Sequence, residues 1–127
     1  TLDVFPVAIM NHAAQGTNFS SRAAGAMYCV AEEAPESALD FMQTLFANQS
    51  AALSLSDDDI VTIASQVGAG AAEECILERT YVKFADDMTA NMPANPSTGS
   101  RGTPTVTIDG EYTELSEVSA RFADILG

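Results

Sequence analysis

Apolar positions change their spacing twice along the chain. Val4, Phe5, Val7 and Ile9 form a nearly continuous apolar run, which predicts a buried strand over residues 2–10. Pro6 interrupts it and suits a place beside a sheet edge. Residues 11–18 are polar and read as a loop. From there the spacing becomes helical. Ser20 or Ser21 is placed to cap a helix to Glu33, with Ala23, Met27, Val30 and Ala34 on its inner face. Pro35 opens a second helix over residues 36–48. Its stripe is Ala38, Phe41, Met42, Leu45 and Phe46. Ser56 followed by Asp59 has the form of a capping box. It starts a third helix that turns Ile60, Ile63, Ala64 and Val67 inward and ends at Gly68 or Gly70. A fourth helix is expected over residues 71–89, with Leu77, Tyr81, Phe84, Ala85 and Met88 on one side. After a loop over residues 91–102, Thr105-Val106-Thr107-Ile108 alternates as a strand. Asp109-Gly110 then makes a two-residue hairpin turn, and residues 111–113 return as the partner strand. A last helix runs from Ser116 to Leu126 with Val118, Phe122 and Ile125 inward. The order is β, four helices, β-hairpin, helix.

Composition narrows the setting. The chain has 127 residues, a length that suits one compact domain. Apolar residues make up 46%, and so many of them are Ala that the core must rest on small side chains and helix packing. Five Lys and Arg against eighteen Asp and Glu give a net charge of −13. That balance argues against nucleic-acid phosphates and anionic membranes as partners. It fits a solubility or salt-adapted habit. The longest uncharged stretch, residues 4–21, contains Pro6, Asn11, His12, Gln15, Gly16 and Asn18, and hides no transmembrane helix. The first three residues show no signal sequence.

Cys29 and Cys75 are the only cysteines. Their spacing suits neither a zinc site nor a CxxC redox motif, and His12 is the one histidine. Two buried thiols, one structural disulfide or a reactive thiol remain. Flanking apolar residues (Met27, Val30; Ile76, Leu77) favour burial over reactivity. A bridge would close a loop of roughly fifty residues, worth about 4 kcal/mol, and would imply an oxidising compartment. Elsewhere the ordinary explanations prevail. His12 reads as a solvated loop residue. Asp57-Asp58-Asp59 lacks the alternation and Gly of a calcium loop and complements a helix dipole instead. Phe41, Phe46 and Phe84 read as core. Arg101 is equally suited to an acidic substrate or to a local pair.

The element order, with Gly102-Thr103-Pro104-Thr105-Val106 opening the hairpin, resembles the DsbA-like branch of the thioredoxin superfamily. Residues 21–29 are similar to the first helix of that branch's helical insertion, and residues 41–46 to its second. Glu74-Cys75-Ile76-Leu77, with Tyr81 and Phe84, is similar to its last. The resemblance covers residues 4–125. It implies an α/β fold, a thioredoxin-like sheet with a four-helix insertion, as a single partial domain. In that domain residues 1–10 are a core strand, 20–90 the insertion and 103–127 the hairpin with its C-terminal helix. It also implies a cis Thr103–Pro104 bond, the ordinary route to a cis peptide being X–Pro. Gly102, Thr103 and Pro104 would hold an extended polypeptide, with Thr103 offering backbone groups in the manner of strand addition. Some relatives brace the insertion between its first and last helices, which implies a Cys29–Cys75 disulfide.

One feature departs from the resemblance. The branch works through CxxC at the start of a helix after the first core strand, and this chain has no CxxC. Residues 1–10 resemble the second core strand, so the chain is expected to be the C-terminal part of a longer enzyme. The missing strand and helix are expected on another segment or from a second copy of the chain. The implied function is thiol–disulfide exchange in an extracytoplasmic compartment, with the catalytic thiols outside these residues and no metal or organic cofactor. Its partners would be thiol- or disulfide-containing proteins and a redox partner protein. The rival from another class is a non-catalytic helical peptide-binding module. The glutathione-dependent isomerase branch ranks lower, since residues after Asp109-Gly110 do not resemble its own.

Overall fold

The computed structural model describes residues 1–14, 16–48 and 55–127. The fold is mixed α/β and mostly helical. It falls into two compact units, Thr1–Asn91 and Met92–Gly127.

The first unit is built around helix α1, Phe19–Glu33. Helices α2 (Ala38–Ala47), α3 (Asp57–Gln66), α4 (Glu73–Leu77) and α5 (Val82–Ala90) pack against it. Phe41, Ile60 and Val30 are fully buried at the centre, with Ala26, Ala34, Ala64, Ala69 and Ala72 filling the space between helices. Small residues permit this close approach. Gly25 sets the limit, because a Cβ there would lie 3.1 Å from the Val82 nitrogen and 3.2 Å from the Tyr81 carbonyl carbon.

The capping box at Ser56 forms as expected. The Asp59 N–H donates to Ser56 Oγ and the Ser56 N–H donates to the Asp59 carboxylate. The start of α1 differs from expectation. Its N-cap is Asn18, in the left-handed region, and Ser20 and Ser21 lie inside the first turn. They serve the preceding loop instead. Ser20 Oγ accepts from the Met10 N–H, and the Ser21 N–H donates to Asn11 Oδ1 at 3.1 Å. Of that loop, Asn11–Ala13 forms one 3-10 turn and Gln15 lies outside the described residues.

The single helix expected over residues 71–89 is two helices. A 3-10 turn, Gly70–Ala72, leads into α4, and the chain breaks at residues 78–81 before α5. Arg79 takes a φ of +55° there and its Nε donates to Asp57 at 2.8 Å. The tight contact with Gly25 fixes the chain at the same place.

Residues 1–10 are not a strand. They run without turn or bend, and among the described residues they take part in no strand pairing. Helix side chains hold the backbone instead. The Tyr28 hydroxyl donates to the Pro6 carbonyl at 2.8 Å, and the Ala8 N–H donates to Thr89 Oγ1 at 2.7 Å. Ala8 packs on Ala24 and Ala85, while Leu2, Val4 and Phe5 are exposed.

In the second unit, β1 (Val106–Ile108) pairs antiparallel with β2 (Glu111–Thr113), Thr107 facing Tyr112. Asp109 and Gly110 have φ of +52° and +83°, the signature of a type I′ turn. Helix α6, Val118–Leu126, follows a 3-10 turn. Phe122 and Ile125, expected inward, are exposed. A hairpin of three-residue strands is too small to cover an apolar helix face within this unit.

Candidate functional site

The expected substrate loop lies in the second unit. Residues 91–102 lead to it through a turn that closes on itself. The Asn95 N–H donates to the Ser100 carbonyl and the Gly99 N–H to the Asn95 carbonyl, both at 2.8 Å. Asn95 Oδ1 also accepts from the Ser97 N–H at 2.8 Å, and the Asn95 side chain donates to Glu114. This polar turn delivers Gly102, Thr103 and Pro104 to the surface, all three exposed. The Thr103–Pro104 peptide bond is cis. Thr105 Oγ1 donates back to the Gly102 carbonyl, which ties the loop to the strand that follows.

Thr103 itself stays free. Among the described residues neither its N–H nor its C=O has a hydrogen-bond partner. An unbonded backbone donor and acceptor three positions before β1 starts at Val106 can pair with another extended chain, and an open strand edge invites such pairing.

The two cysteines lie in the first unit and are bonded to each other, with S–S 2.04 Å and Cα–Cα 5.7 Å. Cys29 sits on α1 with 1% of its surface exposed, and Cys75 packs against the same cluster from α4. Attack on a disulfide requires a thiolate to reach one sulfur along the S–S axis. Burial of Cys29 within the helical core opposes that approach. The bridge therefore braces α1 against α4, and the described residues contain no free thiol.

A polar cluster in the same unit escaped the sequence reading. Arg22 is 6% exposed, yet each of its three guanidinium nitrogens donates a hydrogen bond. It donates to the Thr17 carbonyl at 2.9 Å, the Leu55 carbonyl at 2.8 Å and Asp57 Oδ1 at 2.9 Å, and it lies 5.5 Å from the Phe19 ring centroid. Asp57 bridges Arg22 and Arg79. Burial alone would raise the Asp57 carboxyl, but hydrogen bonds and charges from the two arginines outweigh it and hold it below the usual carboxylate range. Its neighbour Asp59 is held low by the Ser56 hydrogen bonds. Only the first of the three aspartates thus has a role beyond capping and helix-dipole effects. The signal available in the sequence was the scarcity of cations, which makes each Arg worth placing.

The remaining candidates resolve simply. His12 is exposed on its 3-10 turn, and Arg101 is exposed without an ion pair among the described residues. Phe41 is core, whereas Phe46 and Phe84 are exposed. Phe84 stacks edge-on against Tyr28 at 4.9 Å between centroids. Among the described residues no group of three or more His, Cys, Asp or Glu is placed to hold a metal ion.

Against known families, a family model described as Thioredoxin matches residues 7–126. No curated protein and no solved structure gives a match.

Proposed function

The chain belongs to the thioredoxin family, and from that premise we propose that it is the polypeptide-holding part of a DsbA-like thiol–disulfide oxidoreductase. The observation that carries the reading is the exposed Thr103 backbone, unbonded just before β1. A disulfide-bearing or reduced polypeptide aligns there as an added strand. Gly102 leaves room for close approach, and Pro104 contributes no competing N–H. Exchange itself needs a thiolate. It attacks one sulfur of a disulfide, a new S–S bond forms, the old one breaks, and the second sulfur leaves as thiolate. Neither Cys29 nor Cys75 can supply that thiolate while bonded to the other. The exchanging pair must come from outside these 127 residues, and a redox partner protein must restore it. A buried structural disulfide accords with an extracytoplasmic setting.

One observation favours a second reading. With no free thiol among the described residues, the chain by itself can act as a non-catalytic peptide-binding module. Both readings share the loop, so the first test addresses it. An unfolded polypeptide with blocked thiols, added to the isotope-labelled chain, should shift the amide resonances of Gly102, Thr103 and Val106 before any others. Shifts confined to the helical unit, or none at millimolar peptide, would overturn the assignment of the loop. The oxidoreductase reading adds a second expectation. A partner carrying a CxxC pair should exchange faster with a bound polypeptide when this chain is present. An unchanged rate, with peptide binding intact, would leave the binding module as the function.

A further inference from the structure

The five cations of the chain are unevenly committed. Arg22 and Arg79 are held by Asp57, and Lys83 by Asp87 at 2.7 Å. Among the described residues Arg101 and Arg121 have no ion pair. Arg121 is half-buried on α6, whereas Arg101 is exposed. Arg101 is also the only charged residue between Asp87 and Asp109. The turn before it, residues 95–100, is polar, uncharged and closed on its own hydrogen bonds. It contains no carboxylate of its own, and Glu114, which accepts from the Asn95 side chain, makes no ion pair with Arg101; Thr103 stands two residues further along.

Two residues of chain span at most about 7 Å. An added strand lies about 4.8 Å from the backbone it pairs with. A long Arg side chain starting two residues from Thr103 therefore reaches the side chains of a polypeptide held there. We propose that Arg101 is a specificity-determining residue of this loop, favouring an Asp or Glu in the bound polypeptide close to the residue paired with Thr103. The inference rests on the reading of Thr103 as a backbone-pairing residue. The chemistry is that of a planar guanidinium, which accepts a carboxylate through two parallel N–H bonds. The net charge of −13 repels acidic polypeptides at a distance. That repulsion is screened beyond about 8 Å at physiological ionic strength, so local attraction to Arg101 decides the preference.

The test is a set of ten-residue peptides with a central Ser in place of Cys. Each carries Glu, Gln or Lys at one position on either side. They are titrated at 150 mM salt into the wild type, Arg101→Gln and Arg121→Gln, with the Thr103 amide resonance as readout. Glu at one or two positions should bind about two- to fivefold more tightly than Gln, the range of an exposed ion pair. Arg101→Gln should abolish that preference and leave the Gln peptides unchanged, while Arg121→Gln keeps it. Equal binding of Glu and Gln peptides to the wild type, or a preference that survives Arg101→Gln, would overturn the inference while the loop assignment stands. Failure of every peptide to move the Thr103 resonance would remove both.

Discussion

At the scale of single residues, the cluster around Asp57 carries the sharpest expectations. Arg22 is buried, with its three hydrogen bonds made to oxygen acceptors of the chain and its guanidinium over the Phe19 ring. Arg22→Met removes the charge and strands two backbone carbonyls and part of a carboxylate. The expected cost is about 2–4 kcal/mol in a denaturant titration. Asp57 also makes stability depend on pH, and the sign follows from its lowered folded-state pKa. The stabilisation is complete above the unfolded carboxylate value of about 4 and is lost as pH falls through the lower, folded value. Wild type should therefore lose stability below about pH 4 more steeply than Asp57→Asn. Parallel pH profiles for the two proteins would contradict this assignment. Ser56→Ala should cost about 1 kcal/mol, since it removes half of a formed capping box. Ser56 and Asp59 were legible in the sequence because a capping box is a local pattern. The Arg22–Asp57–Arg79 bridge was not, because it joins three segments whose approach depends on packing.

Elements were legible where periodicity and punctuation agreed. The end of α1 before Pro35, the start of α3 at Ser56, the Asp109-Gly110 turn and the helical character of residues 19–33, 38–47 and 57–66 follow from a proline, a cap, a glycine and apolar stripes. The break between α4 and α5 carries no such mark. Arg79 adopts a left-handed φ without being Gly or Asn, held by its bond to Asp57 and by the fit of Tyr81 and Val82 over Gly25. Tertiary contact overrides local preference there. The brace between α1 and α4 sets an expectation at the same scale. Cys29 and Cys75 are 46 residues apart, which in the chain-entropy account is worth about 4 kcal/mol. Replacing both by Ala should lower the midpoint of thermal unfolding by about 10–20 °C. The native protein should resist alkylation under mild reductant until it unfolds, because Cys29 is almost wholly covered. Rapid labelling of both sulfurs in the folded protein would show that the bridge is exposed to exchange after all.

For the whole molecule, residues 2–10 show how a correct apolar pattern can miss a structure. The pattern marks a segment suited to burial beside other strands, yet a strand exists only through its ladder, and among the described residues the segment joins none. Tyr28, Thr89 and Ser20 take up its backbone groups instead. The exposed Phe122 and Ile125 of α6 arise likewise, since an amphipathic helix is legible alone but its cover is not. The thioredoxin family match and the cysteine inventory then point to one functional expectation. Thiol–disulfide exchange proceeds through a thiolate, and both sulfurs of this chain are joined to each other. The 127-residue chain should therefore not accelerate insulin reduction by dithiothreitol, and the Cys29→Ala, Cys75→Ala double variant should match it. Its binding of a thiol-blocked polypeptide at Thr103 should be the same with and without reductant, as long as the fold survives reduction. Acceleration by the wild type that disappears in the double variant would make the buried bridge a reacting centre and move the site from the loop to the helical core.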